Sequence, residues 1–226
     1  MLGIYAIFGI FALLSWLVSS QLKKRFKNYS KLPTNNGVTG REIVEKMLKD
    51  HNITGVRVGS VSGQLTDHYD PTTKTINLSN EVYNGANVAA AAVAAHECGH
   101  ALQHADAYSL LKMRSALVPT VSIASKWMSW ILLAGILTIS SFPQIMLVGI
   151  VLFAATTLFS FITLPVEIDA SNRAVVWLRN SGITSYDTQD KAKDALKWAA
   201  YTYVVAALAS LATLMYYVMI YLGARD

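Results

Sequence analysis

The stretch "QIMLVGIVLFAATTLFSFITLPVEID" (144–169) runs for 23 residues without a charge and then meets Glu167. About 20 predominantly apolar residues carry a helix across the hydrocarbon core of a bilayer. Three further stretches repeat the pattern: "GIYAIFGIFALLSWLVSS" (3–20), "WMSWILLAGILTISSF" (127–142) and "AAYTYVVAALASLATLMYYVMIYL" (199–222). The second of these has only 16 uncharged residues, but Lys126 can snorkel and the apolar residues upstream lengthen it. A tight turn at Pro143 joins it to the stretch quoted first. Any single segment could be a buried helix of a soluble core. Four of them in 226 residues describe a polytopic membrane protein. Composition agrees, with 53% hydrophobic and 15% charged residues, against about 25% charged in soluble domains.

The charges are unevenly placed. Of the 19 lysines and arginines, 17 lie in segments 21–118 and 165–198. The positive-inside tendency therefore predicts both segments in the cytoplasm and both termini outside, with Arg225 and Asp226 too few to oppose it. The net charge of +5 is explained by basic residues collected beside the spans, so no nucleic-acid partner is expected. Segment 3–20 carries its basic residues after it and lacks a small-residue cleavage site, which reads as an uncleaved anchor. The single cysteine, Cys98, excludes an internal disulfide and fits a reducing compartment. The expected organisation is an anchor (1–22), a cytoplasmic α+β region (23–118), a transmembrane hairpin (119–166), a cytoplasmic helical segment (167–198) and a last transmembrane helix (199–226).

Between the spans the patterns change. "VTGREIVEKMLKDHNI" opens with Thr39 and Glu42 at capping-box spacing, and Val38 and Ile43 at the spacing of a hydrophobic staple. Ile43, Val44, Met47 and Leu48 predict an amphipathic helix to about residue 50. "TGVRVGSVSGQLTDHYDPTTKTINLS" (54–79) is rich in Val, Thr and Ile and broken at Gly63 and Pro71, which predicts a short antiparallel sheet. Its strand "KTINLS" could offer an open edge to an extended substrate or be paired internally. From about residue 85 an alanine-rich helix follows, thin enough for close backbone approach.

That helix carries "AAHECGHALQH" (94–104). Five His and five Glu placed at random would produce H-E-x-x-H with a probability of roughly 0.2%. Burying each such polar group uncompensated costs on the order of 1–3 kcal/mol, and an ionised carboxylate more. A divalent cation compensates them directly. His96 and His100 stand one helical turn apart on one face, within reach of a single Zn²⁺. Glu97 is rotated by about 100° and suits a general base acting on water rather than a ligand. Gly99 leaves room beside the pair for another segment.

A catalytic zinc takes three protein ligands and keeps one position open. Candidates for the third are Glu81, His51, His68, His104 and the acids of "LPVEIDASNRAV" (164–175). His104 has drifted by about 80° and about 12 Å from His96, which favours a supporting or polar-face role. Glu167 is preferred, because an ionisable group at the end of an uncharged span needs a partner. Asp169 falls on another side of the helix, where Arg173 at i+4 can pair with it.

"AAHECGHALQHADAYSLLKMRSALVP", "LTDHYDPTTKTINLS", "LPVEIDASNRAVVWL" and "ALKWAAYTYVVAALASL" together resemble the YugP-type membrane zinc metallopeptidases of bacteria, in the same order over about residues 1–222. The resemblance implies a zincin-like unit in the cytoplasmic membrane, His96 and His100 as zinc ligands and Glu97 as the catalytic glutamate. It is more distant to membrane metallopeptidases whose third ligand is a glutamate followed four residues later by an aspartate that supports a ligand histidine. That implies Glu167 as ligand. Ser171 stands at the fourth position here, so the supporting acid does not carry over.

The reading is therefore a mainly α integral membrane protein with about four transmembrane helices and a cytoplasmic α+β zincin-like unit. Its expected activity is a zinc-dependent endopeptidase in the bacterial cytoplasmic membrane, with one Zn²⁺ per chain. Its partners are the lipid bilayer and a protein or peptide substrate near it. His68, Tyr69 and Tyr201 are candidate oxyanion donors by chemistry alone. The rival is a non-catalytic membrane chaperone or adaptor with a closed, four-ligand structural zinc. A transporter would want ionisable groups inside several spans, and the last three have none.

Overall fold

A computed structural model describes the backbone of residues 2–224 and the side chains of residues 5–224; Met1, Arg225 and Asp226, at the ends of the two terminal segments, lie outside it. The elements run α1 (Leu2–Tyr29), α2 (Gly40–Asp50), β1 (Arg57–Val61), β2 (His68–Asp70), β3 (Thr75–Ser79), α3 (Asn80–Tyr83), α4 (Val88–Ala105), α5 (Ser109–Leu137), α6 (Pro143–Ser181) and α7 (Tyr186–Gly223). The chain divides into two compact units, one of residues 18–111 with 166–201 and one of residues 1–17, 112–165 and 202–226.

The first unit is built on α4. Ile43, Val44 and Met47 of α2, Ile76 and Leu78 of β3, most of the alanines of α4 and Ala174, Trp177 and Leu178 of α6 form one buried core. α2 begins as the sequence predicts: the Thr39 hydroxyl accepts from Glu42 N, and Thr39 N donates to the Glu42 carboxylate at 2.8 Å. Its four apolar residues then point to one side, and the helix ends at Asp50. α4 is capped by Asn87, whose side-chain oxygen accepts from Ala90 N at 2.9 Å. Toward the end of α1, Arg25 and Tyr29 both donate to Asp194 of α7 at 2.6 Å.

The sheet corrects the expectation. It is mixed, in the order β1-β3-β2: β1 pairs parallel with β3, and β2 pairs antiparallel with it. Two local causes produce this. Asp70 accepts from Thr72 N at 2.8 Å and from Thr73 Oγ1 at 2.7 Å, closing a tight turn that folds β3 back on β2. β3 is also the strand that buries apolar side chains, with Ile76 and Leu78 fully inside, so it takes the centre and leaves β1 to its other side. Thr75–Asn77 of "KTINLS" are thus paired on both sides, which favours internal pairing over an open edge there.

The second unit is helical. Leu132 of α5 and Met146 and Ile150 of α6 are buried together, with Phe153, Leu214 and Tyr217 packed against them. Small residues allow the close approach: a Cβ on Gly135 would stand 2.6 Å from the Met146 Cα, and one on Gly149 2.7 Å from the Leu132 side chain. Outward-facing Phe8, Trp130, Leu133, Val151 and Met219 are exposed. Among the described residues, four helices, Tyr5–Tyr29, Ser109–Leu137, Pro143–Ser181 and Tyr186–Gly223, are long and apolar enough to cross a membrane. Contiguous apolar surface of this kind is what a bilayer covers.

Two segment bounds differ from the sequence reading. The second candidate span is the end of a helix that starts at Ser109 and stops at Leu137, so residues 138–142 are the turn. Pro143 opens α6 rather than forming the turn, a position where proline's missing N–H costs nothing. α6 also continues past its uncharged stretch to Ser181. Its 39 residues make about 58 Å of helix, far beyond the hydrocarbon core, and Glu167 follows Pro165 within it.

Candidate metal centre

The centre forms where α4 meets the 166–181 part of α6. The approach is close because Gly99 has no side chain: a Cβ there would lie 2.6 Å from the Ala170 carbonyl oxygen. The opening left beside the histidines for another segment is therefore filled by α6. Gly99→Ala is expected to push the two helices apart, with a loss of about 1–3 kcal/mol of stability. Thermal unfolding in detergent measures it, and a variant as stable as the parent would show that the contact can yield freely.

Across this contact one ligand atom each from His96, His100 and Glu167 come within 4.8 Å of one another. The Glu167 Oε2 lies 3.3 Å from His96 Nε2 and 3.6 Å from His100 Nε2. The imidazoles meet edge to face, with centroids 4.8 Å apart and planes at 81°. Glu167 is 2% exposed and His100 7%, while His96 keeps more of its surface open.

These spacings test the fit of an ion. A charge-assisted N–H···O bond closes to about 2.7–2.9 Å. Ligand atoms about 2.0–2.2 Å from one tetrahedral zinc stand roughly 3.3–3.6 Å from each other. Both Glu167–imidazole distances fall in that longer range, and two imidazoles with a carboxylate are donors of the right chemistry, so the residues fit zinc. Glu97 is buried, and no side-chain hydrogen bond among the described residues engages its carboxylate. Burial lowers the His100 pKa, but the Glu167 carboxylate facing its Nε2 and the charge of Glu97 outweigh it and raise the pKa above its ordinary 6.5.

The outer nitrogens are held as well. Ser171 Oγ lies 3.1 Å from His96 Nδ1, so the residue at the fourth position after Glu167 does reach a histidine of the cluster. Gln103 Oε1 lies 3.0 Å from His100 Nδ1. Gln103 Nε2 donates to Val166 O and to Asp169 Oδ2, both at 2.8 Å. Arg173 Nε donates to that same Asp169 oxygen at 2.7 Å, the expected i+4 pair, and its Nη1 donates to Asp106. Gln103 is the residue the sequence reading passed over. Its signal was present, three residues after His100 on the same helix, but an amide is not a zinc ligand.

The other candidates lie elsewhere. His51 Nδ1 is bonded to Met47 O, Glu81 accepts from Gln64, and His68 sits exposed between Thr66 and Asn77. His104 pairs with the Tyr69 hydroxyl at 2.7 Å. Tyr201 stacks edge-on against Trp198. Among the described residues, none of these joins His96, His100 and Glu167 in the metal-capable group.

Comparison with known proteins agrees with this chemistry. The model of a family described as "Putative neutral zinc metallopeptidase" matches residues 4–222. A protein of Bacillus subtilis (strain 168) named "Putative membrane protease YugP" is 41% identical over 213 residues, covering 94% of each chain. No solved structure matches significantly. With a family match over nearly its whole length, a close relative and a donor set suited to zinc, the chain belongs to the zinc metallopeptidase family so described.

Proposed function

We propose that this protein is a membrane-embedded, zinc-dependent endopeptidase that hydrolyses peptide bonds of membrane or membrane-proximal proteins. The supporting observation is the convergence of His96, His100 and Glu167, one ligand atom of each within 4.8 Å of the others, with Glu97 buried, its charge acting on His100 and its carboxylate in no side-chain hydrogen bond among the described residues. His96, His100 and Glu167 would hold one Zn²⁺ per chain. When bound, the ion supplies Lewis acidity that brings the pKa of a water toward about 7. Glu97 takes the proton of the attacking water and returns it to the leaving amine. A structural zinc calls for a fourth ligand, and among the described residues no fourth His, Cys, Asp or Glu joins the group.

Placement supports this substrate class. Glu167 follows directly on the uncharged stretch 144–166 of α6, so the centre stands at the end of a candidate span. The concentration of lysine and arginine in 21–118 and 165–198 supports the reading of that end as the cytoplasmic side of a bacterial membrane. Polypeptides lying at or emerging from that interface are the chains it meets.

The test is detergent-purified protein incubated with a panel of membrane-protein substrates, with and without chelator, and metal counted per chain in the same sample. One zinc per chain and cleavage abolished by chelator and restored by zinc are expected. Stoichiometric zinc with no cleavage of any substrate would favour the structural reading, and absence of bound zinc would remove both.

A further inference from the structure

The hydrogen bonds behind His100 have a logical order that fixes its chemistry. Gln103 is fully buried, so each polar atom of its amide must find its partner inside the protein. The amide has one donor end and one acceptor end. Its nitrogen faces two acceptors, Val166 O and the Asp169 carboxylate, and neither can be served by a carbonyl oxygen. The orientation is therefore decided from outside, and Oε1 is left facing His100 Nδ1 at 3.0 Å. An acceptor in that place demands an N–H from the ring. A neutral imidazole with its proton on Nδ1 has its lone pair on Nε2, the atom that lies 3.6 Å from the Glu167 oxygen.

We infer that Gln103 is the positioning residue that sets the His100 tautomer, and that Asp169 and Arg173 hold Gln103 in the one orientation able to do so. The inference rests on the proposed zinc site. The arrangement runs outward from the centre: His100, Gln103, Asp169, Arg173, Asp106. It begins at a buried neutral amide and ends at an Asp106 side chain that is 61% exposed. The ligand thus receives a neutral support, and the charge of Asp169 is matched by Arg173 instead of bearing on the imidazole. His96 is treated differently, since Ser171 can donate or accept and by itself imposes no tautomer.

Two measurements test the inference. In the parent protein labelled with ¹⁵N-histidine, the neutral His100 of the zinc-free state is expected to carry its proton on Nδ1, and zinc is expected to bind Nε2. A neutral His100 protonated on Nε2, or zinc on Nδ1, would overturn it without need of any variant. Gln103→Leu, which cannot accept from the ring, is expected to bind zinc about 10–100-fold more weakly in a competing-chelator titration. Arg173→Met, altered at the exposed end, is expected to weaken zinc in the same direction by less, while Ser171→Ala leaves the His100 tautomer unchanged. A purely structural Gln103 would lower the unfolding temperature of the zinc-free protein yet leave the zinc affinity of its folded fraction at the parent's value, and that result refutes the assignment. If the parent itself holds no zinc, the proposed function fails first and the inference falls with it. If the parent holds zinc as Gln103→Leu does, only the inference fails.

Discussion

Glu97→Gln is expected to leave zinc bound at one per chain while lowering kcat by about 10²–10⁴-fold, the usual contribution of a positioned general base. Glutamine has the same shape, so α4 and its packing should be undisturbed. What it lacks is a site for the proton of the attacking water. The Glu97 carboxylate is suited to that task because it is buried beside the histidines yet committed to no internal hydrogen bond among the described residues. Its charge also helps keep His100 protonated in the zinc-free protein, so its removal leaves less of a proton for zinc to displace. Losing the same charge also weakens the pull on a dication, so the two effects oppose each other and metal affinity should stay near the parent's while turnover collapses. Zinc counted by atomic absorption beside single-turnover cleavage separates the two effects. A zinc-loaded Glu97→Gln that cleaves as the parent does would remove Glu97 from the reaction, and a change in stability alone would favour a structural metal.

Local signals were legible in the sequence, and long-range pairings were not. The i, i+4 spacing of His96 and His100 places two imidazoles on one face of any helix, so their convergence needs only that α4 be helical, which its alanines secure. Thr39 and Glu42 specify their helix start in the same local way. The approach of Glu167, 67 residues beyond His100, was legible because a charge at the end of an apolar run needs a partner. Strand order was not, since alternation marks strands without saying which neighbour each will choose, and the burial of Ile76 and Leu78 decided it. The Gln103 chain was hidden for a related reason. Its members, Gln103, Asp169, Arg173 and Asp106, come from α4, from α6 and from just past the end of α4, and only the contact at Gly99 and Ala170 assembles them.

Glu167→Gln is expected to weaken zinc binding by more than about 100-fold, beyond the 10–100-fold that loss of a supporting partner brings. Glutamine is the informative choice because the site is 2% exposed and alanine would add a cavity to the loss of the ligand. The amide keeps the volume and loses the negative charge that a dication and two neutral imidazoles require. The variant should also change how zinc binding depends on pH. In the parent, Glu167 is a chief cause of the raised His100 pKa, so a proton competes with zinc above the ordinary value of 6.5, and affinity should climb as pH rises through that higher range. A raised folded-state pKa also gives the zinc-free protein stability that is complete below the unfolded value and lost as pH rises through the folded one. Glu167→Gln should flatten both profiles, binding zinc weakly with its remaining pH dependence moved to lower pH. Competition with a chromogenic chelator across pH, run beside unfolding of the zinc-free protein, reads both. A variant that holds zinc as tightly as the parent, with the parent's pH profile, would mean that the carboxylate between the two histidines is not a ligand, and the proposed catalytic centre would have to be abandoned.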